Sequence, residues 1–197
     1  MLKKTRFNEV VHHLKTAFKL MDQYGIFDSR MLSKYAELYV AWKMEELGYE
    51  VQIGSERTGK NSKNADIYLP NERIRVEVKS SIFKFPQEGW GASFGKGTQI
   101  TKHKFDACVF IPFSIEEWWE VENTFVFTHE ELREISNPRY SMAAFKNNAC
   151  LLLYHGYYEK YSKYMELWDD PEYKIEIDLH KNPEKYQENW DKIKELL

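Results

Sequence analysis

Between Arg73 and Ser81 the side chains alternate. Ile74, Val76 and Val78 are apolar, while Arg75, Glu77 and Lys79 are polar. A period of two predicts a strand with two different faces. Glu77 and Lys79 then share a face, about 7 Å apart along the strand. The segment Asn64-Ala65-Asp66-Ile67-Tyr68-Leu69-Pro70 predicts a preceding strand opened by Asp66. The turn at Pro70, Asn71 and Glu72 folds the two strands back on each other. In such a pair the carboxylates of Asp66 and Glu77 converge, with Lys79 beside them.

This set of groups has a definite chemistry. Hard oxygen ligands suit Mg²⁺, which keeps several waters and bridges to phosphate; Mn²⁺ is expected to substitute. A metal held there lowers the pKa of a coordinated water and neutralises charge growing on a phosphate. Lys79 can orient or deprotonate the attacking water and stabilise the pentavalent phosphorane.

Asp66, Glu77 and Lys79 in this arrangement resemble the PD-(D/E)XK nuclease superfamily. Its pattern places an acid at the start of one strand, then a carboxylate, any residue and lysine on the next. Here Ala65 stands where many members have proline before the first acid. The resemblance implies a restriction-endonuclease-like α/β fold, a central mixed β-sheet flanked by α-helices. It also implies a metal held by Asp66, Glu77 and the Val78 carbonyl, and products with 5′-phosphate and 3′-hydroxyl ends.

Two neighbouring segments fit that resemblance. Leu32, Tyr35, Ala36, Tyr39, Val40, Met44 and Leu47 recur at helical spacing. Asp28 or Ser29 can cap the start of this helix and Gly48 can end it. Glu37 sits at the edge of its apolar stripe. The resemblance gives Glu37 the place of a further catalytic acid and metal or water ligand, against the plain alternative of a solvated helix glutamate. Downstream, a glycine-rich basic stretch carries Lys96, Gln99, Lys102 and Lys104 and precedes the apolar run from Phe105 to Ile111. By resemblance this is a helix whose Gln99 and Lys102 seat the scissile phosphate. Asp106 reads as a strand-start cap.

Net charge over the 197 residues is −3, which argues against a generic DNA-coating protein. Its distribution is more informative. From Glu56 to Lys104 there are ten Lys and Arg against five Asp and Glu; from Pro112 onward there are ten against eighteen. A localised basic region is the footprint of phosphate binding. Lys60, Lys63, Lys96, Lys102 and Lys104, with Gln99, are the candidate DNA contacts as a cluster. The loops around Lys60 and around Trp90 flank the expected site. Two cysteines, Cys108 and Cys150, lie in apolar runs and read as buried thiols in a reducing compartment. No apolar run approaches the length of a membrane span, so a cytoplasmic location is expected.

The rest reads as fold completion. An amphipathic helix is expected over residues 6–24, the core over about 28–135 and a C-terminal extension over about 148–197, all as one domain. Residues 123–128 and 148–154 read as strands, and Thr128 with Glu131 fits a capping box for a helix from His129. A final helix is expected from Asn182-Pro183, carrying Tyr186, Trp190, Ile193 and Leu197 on one face.

The functional expectation is a Mg²⁺-dependent endonuclease acting on DNA, of the type II restriction kind. A homodimer would supply the two sites needed to cut both strands. A Holliday-junction resolvase-like enzyme and a catalytically silent DNA- or protein-binding module on the same fold are the alternatives.

Overall fold

The computed structural model describes residues 7–54, 65–82, 89–93, 102–114, 116–135, 150–154 and 182–197. Two helices lead. α1 spans Asn8–Gln23 and α2 spans Ser29–Glu46. Asp28 is the cap of α2: its carboxylate accepts the Arg30 amide at 2.8 Å, which satisfies a donor the helix leaves open. At the other end Gly48 has φ +96°. Its amide reaches the Glu45 carbonyl at 3.0 Å and the Tyr49 amide reaches Met44 at 3.1 Å. That is a Schellman ending, which needs a left-handed residue and so favours glycine.

Five strands form the central sheet: β1 Gln52–Ile53, β2 Ile67–Leu69, β3 Ile74–Ile82, β5 Ala107–Phe113 and β6 Phe125–Thr128. Their spatial order is β1-β2-β3-β5-β6. β3 and β5 run parallel, and every other neighbouring pair is antiparallel. The sheet is therefore mixed and carries helices, as expected for this fold class. The alternation of Tyr49, Val51 and Ile53 with Glu50 and Gln52 predicts a strand over 49–53, and the strand formed covers only its last two residues. The turn between β2 and β3 includes Arg73 at φ 60°.

α1 and α2 cover one face of the sheet. Leu32, Tyr35, Ala36, Val40 and Met44 pack in one cluster with Val76, Val78, Val109 and Ile111. Phe18 meets Tyr35 edge to face at 5.3 Å. Each such fully buried side chain contributes about 1.5–3 kcal/mol of transfer free energy. Trp118 packs on Phe18 at 5.0 Å and donates its indole N–H to Asp22, so this tryptophan ties its loop to α1.

Cys108, Phe110 and Phe127 are also buried but alternate away from that cluster. All seven residues of β5 are buried, as in a strand covered on both faces. Part of the second cover is C-terminal: the Tyr186 ring lies 5.1 Å from Phe127. Here the structure differs from the single final helix expected. A 3₁₀ turn at Pro183–Lys185 and a short helix α4 at Asp191–Glu195 are separated by turns around an isolated bridge from Gln187 to Phe125. The Tyr186 carbonyl accepts the Val126 amide, and Glu188 binds Thr124 through its own amide and through its carboxylate. Strand pairing interrupts the helix and closes the open edge of β6. As a result Tyr186 and Ile193 are buried while Leu197 is 75% exposed.

The capping box at Thr128 forms as expected. Thr128 Oγ1 accepts the Glu131 amide, and the Glu131 carboxylate returns to the Thr128 amide, opening α3 at His129–Ile135. A second, two-stranded sheet pairs β4 Gly89–Ser93 with β7 Cys150–Tyr154. β7 matches the expected strand. β4 corrects a reading as loop: four of its five residues, Gly89, Gly91, Ala92 and Ser93, are small, but a partner strand uses the backbone rather than the side chains. Among the described residues no helix is long and apolar enough to cross a membrane. Residues 173–179, where alternation of Tyr173, Ile175, Ile177 and Leu179 with Lys174, Glu176 and Asp178 predicts a strand, lie outside the described residues.

Candidate active site

β2 and β3 pair so that Ile67 faces Val76 and Leu69 faces Ile74. Continued one step, this register sets Asp66 opposite Glu77. The backbone ladder does not continue that far. Instead the Asp66 carboxylate accepts the Val78 amide at 2.8 Å, taking the place of a strand partner. The Asp66 carbonyl meanwhile accepts the Gly54 amide at 2.7 Å, holding β1 against it. Asp66 is thereby fixed from both sides, with its carboxylate on the amide that follows Glu77.

Glu77 and Lys79 share a face of β3, as alternation requires. Lys79 Nζ lies 2.6 Å from Glu77 Oε1. Both are largely enclosed: their side chains are 8% and 19% exposed. Burial works against the Lys79 ammonium, but the Glu77 carboxylate against it, with Cys108 and Asp66 nearby, more than compensates, and its pKa is raised. Lys79 is therefore a cation at neutral pH. Cys108 faces Glu77 across the parallel β3–β5 pair. Burial, then the Glu77 charge, pushes its thiol well up, so it is a protonated, inert floor to the site.

Glu37 enters from α2. It is half-buried, and burial raises its pKa; the contacting Lys34 opposes that rise and Asp66 adds to it. Asp66 is raised too, by burial first, against the Val78 amide, Lys79 and Lys34. The strand acids and the helix acid thus share one electrostatic neighbourhood with two lysines. Each carboxylate nevertheless has its own partner, and among the described residues no three acids, histidines or cysteines are gathered closely enough to hold a metal.

The donor set still fits a hard divalent cation. Asp66, Glu77 and the Val78 carbonyl are all oxygen donors, and Mg²⁺ characteristically takes one or two carboxylates and completes its shell with water and phosphate oxygens. Asp66 and Glu37 also resist ionisation in the metal-free protein, which a cation would relieve. The sign of the pH dependence follows. With folded pKa values above the ordinary 3.8 and 4.5, these groups favour the folded state fully below that range. That contribution is lost as pH rises through their raised values. Mg²⁺ should therefore raise the melting temperature more near pH 8 than in acid, where these carboxyls take up protons. Thermal melting with and without Mg²⁺ across that range checks this; a Mg²⁺ effect independent of pH would contradict it.

The sequence reads Asp106 as a strand-start cap. Asp106 is structural. Its carboxylate takes Arg75 through Nε at 3.0 Å, the terminal nitrogen at 2.8 Å and the amide at 2.8 Å. Burial resists its ionisation, but the Arg75 contacts outweigh that and lower its pKa. Lys102 and His103 form a turn, with Lys104 and Phe105 irregular, so the helix expected here does not extend through Lys104; His103 at φ 47° turns the chain out of helical geometry. No hydrogen bond or ion pair joins Lys102 or Lys104 to the site acids among the described residues. Gln99, Lys60, Lys63 and Lys96 lie outside the described residues. The sequence reading missed Lys34, whose spacing of three from Glu37 was the available signal.

No family profile and no curated protein matches this sequence. Nine chains of solved structures do match. Among them is the bacterial homing endonuclease I-Ssp6803I, with 14% identity and a TM-score of 0.48 over 85% of this chain and 93% of that one.

Proposed function

We propose that this protein is a metal-dependent endodeoxyribonuclease of the PD-(D/E)XK kind. The observation that carries the reading is the Asp66 carboxylate seated on the Val78 amide, immediately beside the Glu77–Lys79 pair. A buried carboxylate paired with a lysine, and a second carboxylate held on the amide between them, support this reading because burying charged groups is costly and a core does not require it.

In this reading Asp66, Glu77 and the Val78 carbonyl hold Mg²⁺ or Mn²⁺, with Glu37 as a further ligand. The bound ion would supply Lewis-acid stabilisation of the phosphate and acidify the attacking water. The chain's own groups do the rest. Strands fix both carboxylates, so little reorganisation is needed when substrate arrives. Lys79, charged at neutral pH, donates hydrogen bonds to the water and to the developing phosphorane oxygens; its raised pKa makes it a poor base. The inert Cys108 thiol and the aromatic layer behind it keep water from that side.

The finer assignment is a type II restriction enzyme working in the cytoplasm as a homodimer on duplex DNA. Supercoiled plasmid and synthetic four-way junctions, each incubated with Mg²⁺ or EDTA, test it. Discrete plasmid fragments with Mg²⁺ support the restriction assignment, and cutting of junctions alone supports a resolvase. Binding without cutting on any substrate would leave a silent module and defeat the enzyme reading. Lys79→Ala should lose cleavage by on the order of 10²–10³-fold with DNA binding retained. Equal activity in the variant would refute the role given to Lys79.

A further inference from the structure

The geometry points to Lys34 as an exchangeable counter-ion of the site, an ammonium that holds Glu37 in the metal-free protein and yields it to a divalent cation. This inference rests on the metal-site reading of Asp66 and Glu77. Lys34 and Glu37 stand three residues apart on α2 with their charged ends in contact. Their side chains differ in setting: Glu37 is 21% exposed and Lys34 is 46% exposed. The lysine therefore reaches into the acidic cluster from the solvent side. It also lies close enough to Asp66 to favour that group's ionised form.

Lys79 plays the corresponding part for Glu77, but from within the strand and at 19% exposure. The two lysines are not equivalent. Lys79 is enclosed, while Lys34 has water to go to. Ion pairs spaced this way on a helix and open to solvent are weak, so Glu37 can change partners at little cost. Three carboxylates and two ammonium groups leave the site with one negative charge. A divalent cation reverses that sign, and a released Lys34 would then stand ready for an incoming phosphodiester.

Calorimetric titration of the full chain with Mn²⁺ alone, without DNA, tests the exchange. Lys34→Gln removes the competitor and should tighten Mn²⁺ binding about three- to tenfold. Lys34→Arg keeps the charge and should bind like the wild type. Unchanged or weaker Mn²⁺ affinity in Lys34→Gln, with melting showing a folded protein, overturns the proposal. A wild type that binds no Mn²⁺ overturns both this inference and the metal-site reading beneath it.

Discussion

Asp66→Asn is expected to lower DNA cleavage by on the order of 10²–10³-fold while leaving the protein at least as stable as the wild type near neutral pH. The two halves of that expectation have separate causes. Asn retains a carbonyl oxygen that can accept the Val78 amide, so the contact that fixes this residue to β3 survives. Asn carries no charge, so the burial that raises the Asp66 pKa no longer disfavours the folded state. What is lost is one of two anionic oxygen donors on a strand. The Mg²⁺-dependent rise in melting temperature should shrink in parallel. Cleavage assays and thermal melting on the same preparation check both halves. Full activity in Asp66→Asn would remove this residue from the site. A melting temperature lowered by many degrees would show that its charge is structural.

Asp106→Ala should do the reverse, costing about 3 kcal/mol of stability and leaving the rate per folded molecule unchanged. Asp106 is the sole carboxylate on the Arg75 guanidinium among the described contacts, and it also binds the Arg75 amide and lies 3.1 Å from His103 Nε2. Removing it strands a half-buried cation at the junction of β3 and β5. Denaturant unfolding gives the stability and single-turnover cleavage gives the rate. A loss of metal affinity in this variant would contradict the structural role.

The core pair of strands was legible because alternation is a local property. Ile74 to Lys79 states its two faces residue by residue, and the turn at Pro70 to Arg73 fixes the register. Glu37 was legible by its place at the rim of a helical stripe. The contact between Asp66 and the Val78 amide was not, since it depends on where the β2–β3 ladder stops. β4 was hidden because Gly89 to Ser93 is short and rich in small residues of low strand preference, and depends on a partner about sixty residues away. The C-terminal segment misled for a related reason. Tyr186 and Ile193 lie at helical spacing, yet pairing of residues 186–188 with β6 prevailed over local helical preference. Asp106 announced itself as a strand-start residue, but its tie to Arg75 spans 31 positions and exists only once β3 and β5 are side by side.

Diffraction from crystals soaked in Mn²⁺, recorded for its anomalous signal, tests the central claim most directly. A peak within bonding distance of both the Asp66 and Glu77 carboxylates is the expected result. A Mn²⁺ peak bound elsewhere, with those two carboxylates still held by Val78 and Lys79, would contradict it.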